Sequence, residues 1–168
     1  MRNLCWALIA IFLATFLSSC VEGKYIEMPE NVVPLHKGDA EVLARTLYGE
    51  ARGEGVAGMT AIAWVVVNRT KREGGRFPDT ITGVCKQLYQ FSCWSKSDPN
   101  FALCHAVTES DPSFALALWV AAGVLAGQVP DNTGAADHYH AVSMKTYPAW
   151  AAKMRKTARI GGHIFYKE

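Results

Sequence analysis

The stretch from Asp39 to Arg69, DAEVLARTLYGEARGEGVAGMTAIAWVVVNR, restricts the fold more than any other part of the chain. Ala40, Leu43, Ala44 and Leu47 recur at i, i+3, i+4 and i+7, the stripe of an amphipathic helix, with Asp39 as its N-cap. The next step of that stripe falls on Glu50. A helix that buries Leu43 and Leu47 aims the Glu50 carboxylate inward, where ionisation is costly. It also sets that carboxylate at a helix C-terminus, where the macrodipole disfavours negative charge. Both effects raise its pKa, as a general acid near neutral pH requires. The competing expectation ends the helix at Gly49, because Gly49, Gly53 and Gly55 all weaken helix, and leaves Glu50 solvated.

The next segment, residues 56–71, is apolar nearly all round, with Met59, Ile62, Ala63, Val66 and Val67 on one broad face. A helix of that kind is central to its domain. Asn68 ends it with an amide that must find a partner if buried; a structural tie and a substrate contact are both open. With 168 residues, half of them apolar and 19% charged, the chain suits one domain with a proper core. The formal net charge of +2 lacks the basic excess of a nucleic-acid binder.

Residues 1–20 read MRNLCWALIAIFLATFLSSC. The apolar run from Leu4 to Leu17 is 14 residues, short of the roughly 20 that span a bilayer. It fits the h-region of an export signal. Leu17-Ser18-Ser19-Cys20 resembles a bacterial lipobox, which would make Cys20 a lipidated N-terminus and anchor the protein to a membrane. A cleaved signal and an uncleaved signal-arrest segment are the alternatives. All three place the domain outside the cytoplasmic membrane. Residues 21–38 are expected to be a tether and residues 39–168 the folded domain.

Asp79 or Thr80 is expected to cap a short helix ending near Lys86. Tyr89-Gln90-Phe91-Ser92-Cys93-Trp94 is expected to be extended, with Gln90, Ser92 and Trp94 offered to a groove or Phe91 and Trp94 packed in the core. Asp111-Pro112 is a strong helix start for an Ala-rich helix that Gly127 closes. Pro148 is expected to open a last helix through Lys156, followed by a small strand to Tyr166. Cys85, Cys93 and Cys104 are open to three pairings, of which Cys93 with Cys104 is preferred, or to remaining reduced. His138 and His140 share a face if extended, but zinc takes at least three protein ligands. His105 and His163 are only loosely placed to supply the rest, so no metal or cofactor is expected. Lys145, Lys153, Arg155, Lys156 and Arg159 form a basic cluster, either a plain solvated face or a contact for anionic polymer.

Tyr48-Gly49-Glu50-Ala51-Arg52-Gly53-Glu54 followed by residues 59–69 resembles the signature of the SleB-like cell-wall hydrolases, the family of the spore-cortex-lytic enzymes. Gln90-Phe91-Ser92 and the closing Thr157…Ile160-Gly161-Gly162-His163-Ile164-Phe165 match two further strings of that family in the right order. The resemblance covers about residues 39–166. It implies an α+β, mostly helical lysozyme-like domain with a small β element. It also implies a lytic transglycosylase acting on peptidoglycan strands, with Glu50 as the catalytic acid. Tyr48, Arg52, Glu54 and Asn68 are then expected at the glycan, together with Gln90, Ser92 and Trp94 and with Tyr139, His140 and His163. Three other readings remain: a two-carboxylate muramidase using Glu54, a zinc peptidase using His138, His140 and His163, and a non-catalytic wall-binding lipoprotein.

Overall fold

The structure, a computed structural model, describes residues 37–168. The leader, Cys20 and nearly all of the tether therefore lie outside the described residues. Five helices come first: α1 (Lys37–Ala51), α2 (Gly55–Thr70), α3 (Ile81–Lys86), α4 (Phe101–Ala106) and α5 (Pro112–Leu125). Three strands follow: β1 (His138–Ala141), β2 (Arg155–Ile160) and β3 (His163–Lys167). They form one antiparallel sheet in the order β1-β3-β2. This is the α+β, mostly helical arrangement expected. Among the described residues no helix is long and apolar enough to cross a membrane.

The core is helical. Helix α5 packs across both α1 and α2, and Leu43, Leu47, Met59, Ile62, Val65, Val66 and Val120 meet there with no exposure. Helix α2 is the central one, as its all-round apolar character requires; even Trp64 turns its indole N–H to the Val129 carbonyl at 3.1 Å. Helix α5 starts on the expected cap: the Asp111 carboxylate accepts from the N–H groups of Ser113 (2.8 Å) and Phe114 (3.2 Å), with Pro112 in the first turn. Thr80 caps α3 by accepting from Gly83 N–H.

Four expectations are corrected. Asp39 is not an N-cap: it lies within the first turn of α1, which already includes Lys37, and accepts from the Thr82 hydroxyl (2.6 Å) and N–H (3.2 Å) of α3. Residues 92–94 are a 3-10 turn and not extended. The helix expected from Pro148 is a single 3-10 turn, Ala149–Ala152, after which Arg155–Ile160 pairs with β3. The single closing strand is thus a hairpin, turned at Gly161-Gly162. Finally, Cys93 and Cys104 are not bonded; all three body cysteines are free and buried. Burial pushes the Cys85 thiol up to about 12 and raises Cys93 and Cys104 as well.

Candidate active site

Glu50 is the second-last residue of α1. The helix does not stop at Gly49, so the carboxylate continues the buried face of Leu43 and Leu47 and is itself half-buried. Gly49 has a steric reason: a Cβ there would stand 2.6 Å from Cys93 Cβ and 2.9 Å from its sulfur. Glycine lets the 93–104 loop close up beneath the end of α1, beside Glu50.

The partner of Glu50 comes from the sheet. Tyr139, in the middle of β1, donates its phenol O–H to Glu50 Oε2 at 2.8 Å. Its ring stacks on Phe165 and meets His163 edge-on, with centroids at 5.9 and 5.3 Å. Burial raises the Glu50 pKa above the ordinary carboxylate value, and the charge of Asp98 adds to the rise. The Tyr139 hydrogen bond and the Arg69 charge pull it partly back. Tyr139 itself is raised well above the usual phenol range, by burial first and then by Glu50, so it stays a donor. Asp98 is held low by the Ser92 hydroxyl and by the Asn100 N–H, which it accepts at 2.7 Å. The carboxylate that raises Glu50 is therefore Asp98, which the sequence reading did not single out, and not Glu54.

Glu54 sits at the start of α2 and accepts from Gly162 N–H at 2.8 Å. Gly161 has φ +53°, and a Cβ there would collide with the Glu54 carboxylate; the glycine pair makes both the tight turn and the room for this contact. Arg52, expected at the glycan, points away from Glu54 toward the loop before α4. It reaches Asn100 Oδ1 at 3.1 Å and lies over the Tyr48 ring.

Several expected glycan contacts are structural ties. Tyr48 is buried and donates to Asp111 Oδ2 at 3.0 Å, fixing α1 to the cap of α5. Asn68 donates to Asp131 Oδ2 (3.1 Å) and Ala136 O (3.0 Å), holding the loop before β1. Trp94 donates to Thr46 Oγ1 at 2.9 Å and packs against His105, so its indole faces the fold and not a groove. Ser92 is exposed. Gln90, Tyr139 and His140 do come together, on a cavity of about 590 Å³ that Arg69, Tyr89 and Trp150 also line. Sequence reasoning missed Arg69, although the signal was present: it extends the buried stripe of Ile62 and Val66 just as Glu50 extends Leu43 and Leu47.

The register of the sheet removes the zinc triad. Directly opposed residues share a face, and His138 and His140 pair with Tyr166 and Ile164 while His163 pairs with Ala141. His163 therefore lies on the Tyr139 face, opposite to His138 and His140. The two remaining rings are also engaged: His138 Nδ1 with Asp137 Oδ1 at 2.8 Å, and His140 Nε2 with the Tyr166 hydroxyl at 3.0 Å. Burial lowers the His163 pKa.

Comparison with known proteins gives a consistent result. A family model described as cell wall hydrolase matches residues 53–166. The spore cortex-lytic enzyme of Halalkalibacterium halodurans is 30% identical over 131 residues, 76% of this chain and 34% of that protein. That of Oceanobacillus iheyensis is 30% identical over 135 residues, 78% of this chain and 42% of that protein. The chain thus spans less than half the length of these relatives. Among solved structures, the catalytic domain of the Bacillus cereus SleB protein superposes with a TM-score of 0.59 at 26% identity, over 86% of this chain and 99% of that one. The catalytic domain of the germination-specific lytic transglycosylase SleB from Bacillus anthracis gives 0.56 at 26%, over 83% and 99%.

Proposed function

The chain belongs to the cell wall hydrolase family, and we propose that it is a lytic transglycosylase that cuts peptidoglycan between N-acetylmuramic acid and N-acetylglucosamine, with Glu50 as its single acid/base. The observation that carries this reading is a carboxyl half-buried at a helix end, pushed up in pKa by burial, and oriented by the Tyr139 phenol. The protonated Glu50 gives its proton to the glycosidic oxygen as the C1–O bond breaks. The resulting carboxylate then takes the proton of the muramyl 6-hydroxyl while that oxygen bonds to C1. The ring closes to a 1,6-anhydro end, no water is consumed, and Glu50 is protonated again.

A hydrolytic glycosidase normally uses a second carboxylate, about 5–5.5 Å away for retention or 6.5–9.5 Å for inversion. Glu54 is a poor one, because its Oε2 is tied to the Gly162 N–H in the β2–β3 turn. Glu50→Gln keeps the shape but cannot pass a proton. Turnover of purified peptidoglycan is expected to fall by about 10²–10⁴-fold or more, with the circular dichroism spectrum unchanged. A Glu50→Gln protein that keeps wild-type turnover overturns the assignment.

Such an enzyme works outside the cytoplasmic membrane. Residues 1–20 are the proposed route there, with Cys20 lipidated; this rests on the lipobox-like Leu17-Ser18-Ser19-Cys20 after an apolar run. Cells fed a labelled fatty acid are expected to yield labelled mature protein beginning at Cys20. Unlabelled mature protein points instead to a secreted form.

A further inference from the structure

The cavity beside Tyr139 is lined by two residues that each carry a buried polar atom which nothing among the described residues satisfies. Arg69 is only 5% exposed. Its Nε donates to Asp137 O at 2.7 Å, and its guanidinium lies over the rings of Phe77 and Phe91 at 4.9 and 5.4 Å. Its Nη1, however, is buried and has no acceptor. Gln87 donates through Nε2 to Arg76 O at 3.1 Å, while its Oε1 is buried with no donor. Both residues line the same cavity. Buried polar groups are nearly always paired, so each exception asks for a reason. Here a charged donor and a neutral acceptor are left over around one space.

The remaining lining sets the charge. Arg76, His138 and His140 border the cavity and no Asp or Glu does. Arg76 already holds Glu168 at 2.7 Å, which leaves Arg69 as the lining arginine that makes no ion pair among the described residues. The space therefore suits a ligand with a carboxylate and, near it, an N–H. Sugar hydroxyls and N-acetyl groups lack the first. A peptide attached to the glycan has both. Because Tyr139 lines the cavity and also holds Glu50, a group bound there sits one side chain from the Glu50 carboxylate.

We propose that this cavity is the subsite for the peptide stem of the muramic acid residue, with a stem carboxylate accepting from Arg69 and a stem amide N–H donating to Gln87. The proposal rests on the peptidoglycan reading above, and it makes the stem a determinant of which bonds are cut.

The test compares two substrates with the full chain: glycan strands that carry their stems, and the same strands after an amidase has removed them. Wild type is expected to favour the stem-bearing strands in kcat/KM by about tenfold or more, the order of one charge-assisted hydrogen bond. In Arg69→Lys and in Gln87→Leu that ratio is expected to fall toward 1. Gln87→Leu removes an oxygen with no partner and one exposed bond to Arg76 O, a smaller loss than the Arg69 guanidinium, so it keeps the test alive where Arg69→Lys fails to fold. Equal cutting of both substrates by wild type overturns the proposal, as does a ratio unchanged in both variants. If neither substrate is cut at all, the peptidoglycan reading has failed on its own, and a direct titration decides the subsite. With the dipeptide L-alanyl-D-glutamate, the Gln87 side-chain amide resonances are expected to shift saturably in wild type and not in Arg69→Lys; no shift in wild type overturns the subsite.

Discussion

Helices α1 and α2 end alike and act differently. Each carries an ionisable residue second from its end, seven positions beyond a fully buried apolar one: Glu50 after Leu43, and Arg69 after Ile62. The C-terminal dipole opposes the carboxylate and favours the guanidinium. Burial works against the charge of both, raising Glu50 and lowering Arg69. An arginine starts so far above neutrality that it stays charged regardless, whereas a raised carboxyl moves toward neutrality and so toward trading a proton. The same geometric device gives a group that can switch at one helix end and a fixed charge at the other.

The sharpest way to break that contrast is by stability. Replacing Arg69 with Leu leaves Asp137 O without its donor, at a cost of about 1–3 kcal/mol, and loses the stacking on Phe77 and Phe91. Chemical denaturation is expected to show a clear loss at all pH values. Glu50→Gln is expected to behave oppositely. A carboxyl whose folded pKa is raised adds stability that is complete below its unfolded pKa and is lost as pH rises through the folded pKa. Relative to wild type, Glu50→Gln should therefore gain stability as pH rises from the ordinary carboxylate value of 4.5 toward neutrality. A flat difference across that window contradicts a raised Glu50.

The next effects are shifts in the pH profile. With Glu50 as the proposed acid, the alkaline limb of kcat/KM is expected to report loss of its proton. Tyr139→Phe removes a hydrogen bond that favours the carboxylate, so the limb is expected to move to higher pH. Asp98→Asn removes a charge that disfavours it, so the limb should move to lower pH. Limbs that move together, or not at all, would show that Glu50 does not set them. Asn68→Ala is expected to cost about 1–3 kcal/mol of stability through its lost ties to Asp131 and Ala136, with specific activity kept. The smallest effect belongs to Glu54→Gln, whose amide oxygen still accepts from Gly162; turnover within a few-fold of wild type is the expected outcome.

The helical half was legible because its evidence is local. The stripes of α1 and α2, the Thr80 cap and the Asp111-Pro112 start were all read from neighbouring residues, and the family strings placed Glu50. The sheet half was not, because strand pairing is settled across the chain. Pro148 carries a helix-start signal, yet Arg155–Ile160 gains more from pairing with β3 through the Gly161-Gly162 turn. That glycine pair, flanked by alternating residues, was the overlooked hairpin signal. Tyr139 was expected at the glycan; its bond to Glu50 joins residues 89 positions apart and no spacing rule shows it. Asp98 was missed for the same reason, since its effect on Glu50 comes from what folds against it; Arg69, by contrast, stood on the stripe of Ile62 and Val66 and could have been read there.

The central claim is that one carboxyl does both proton transfers and that the muramyl 6-hydroxyl, not water, attacks C1. Digestion of purified peptidoglycan in water enriched in heavy oxygen, followed by mass spectrometry of the fragments, tests it directly. Muramyl ends that are anhydro and carry no label are the expected result. Reducing muramyl ends carrying the heavy oxygen would contradict it and make the enzyme a hydrolase with a second catalytic carboxylate.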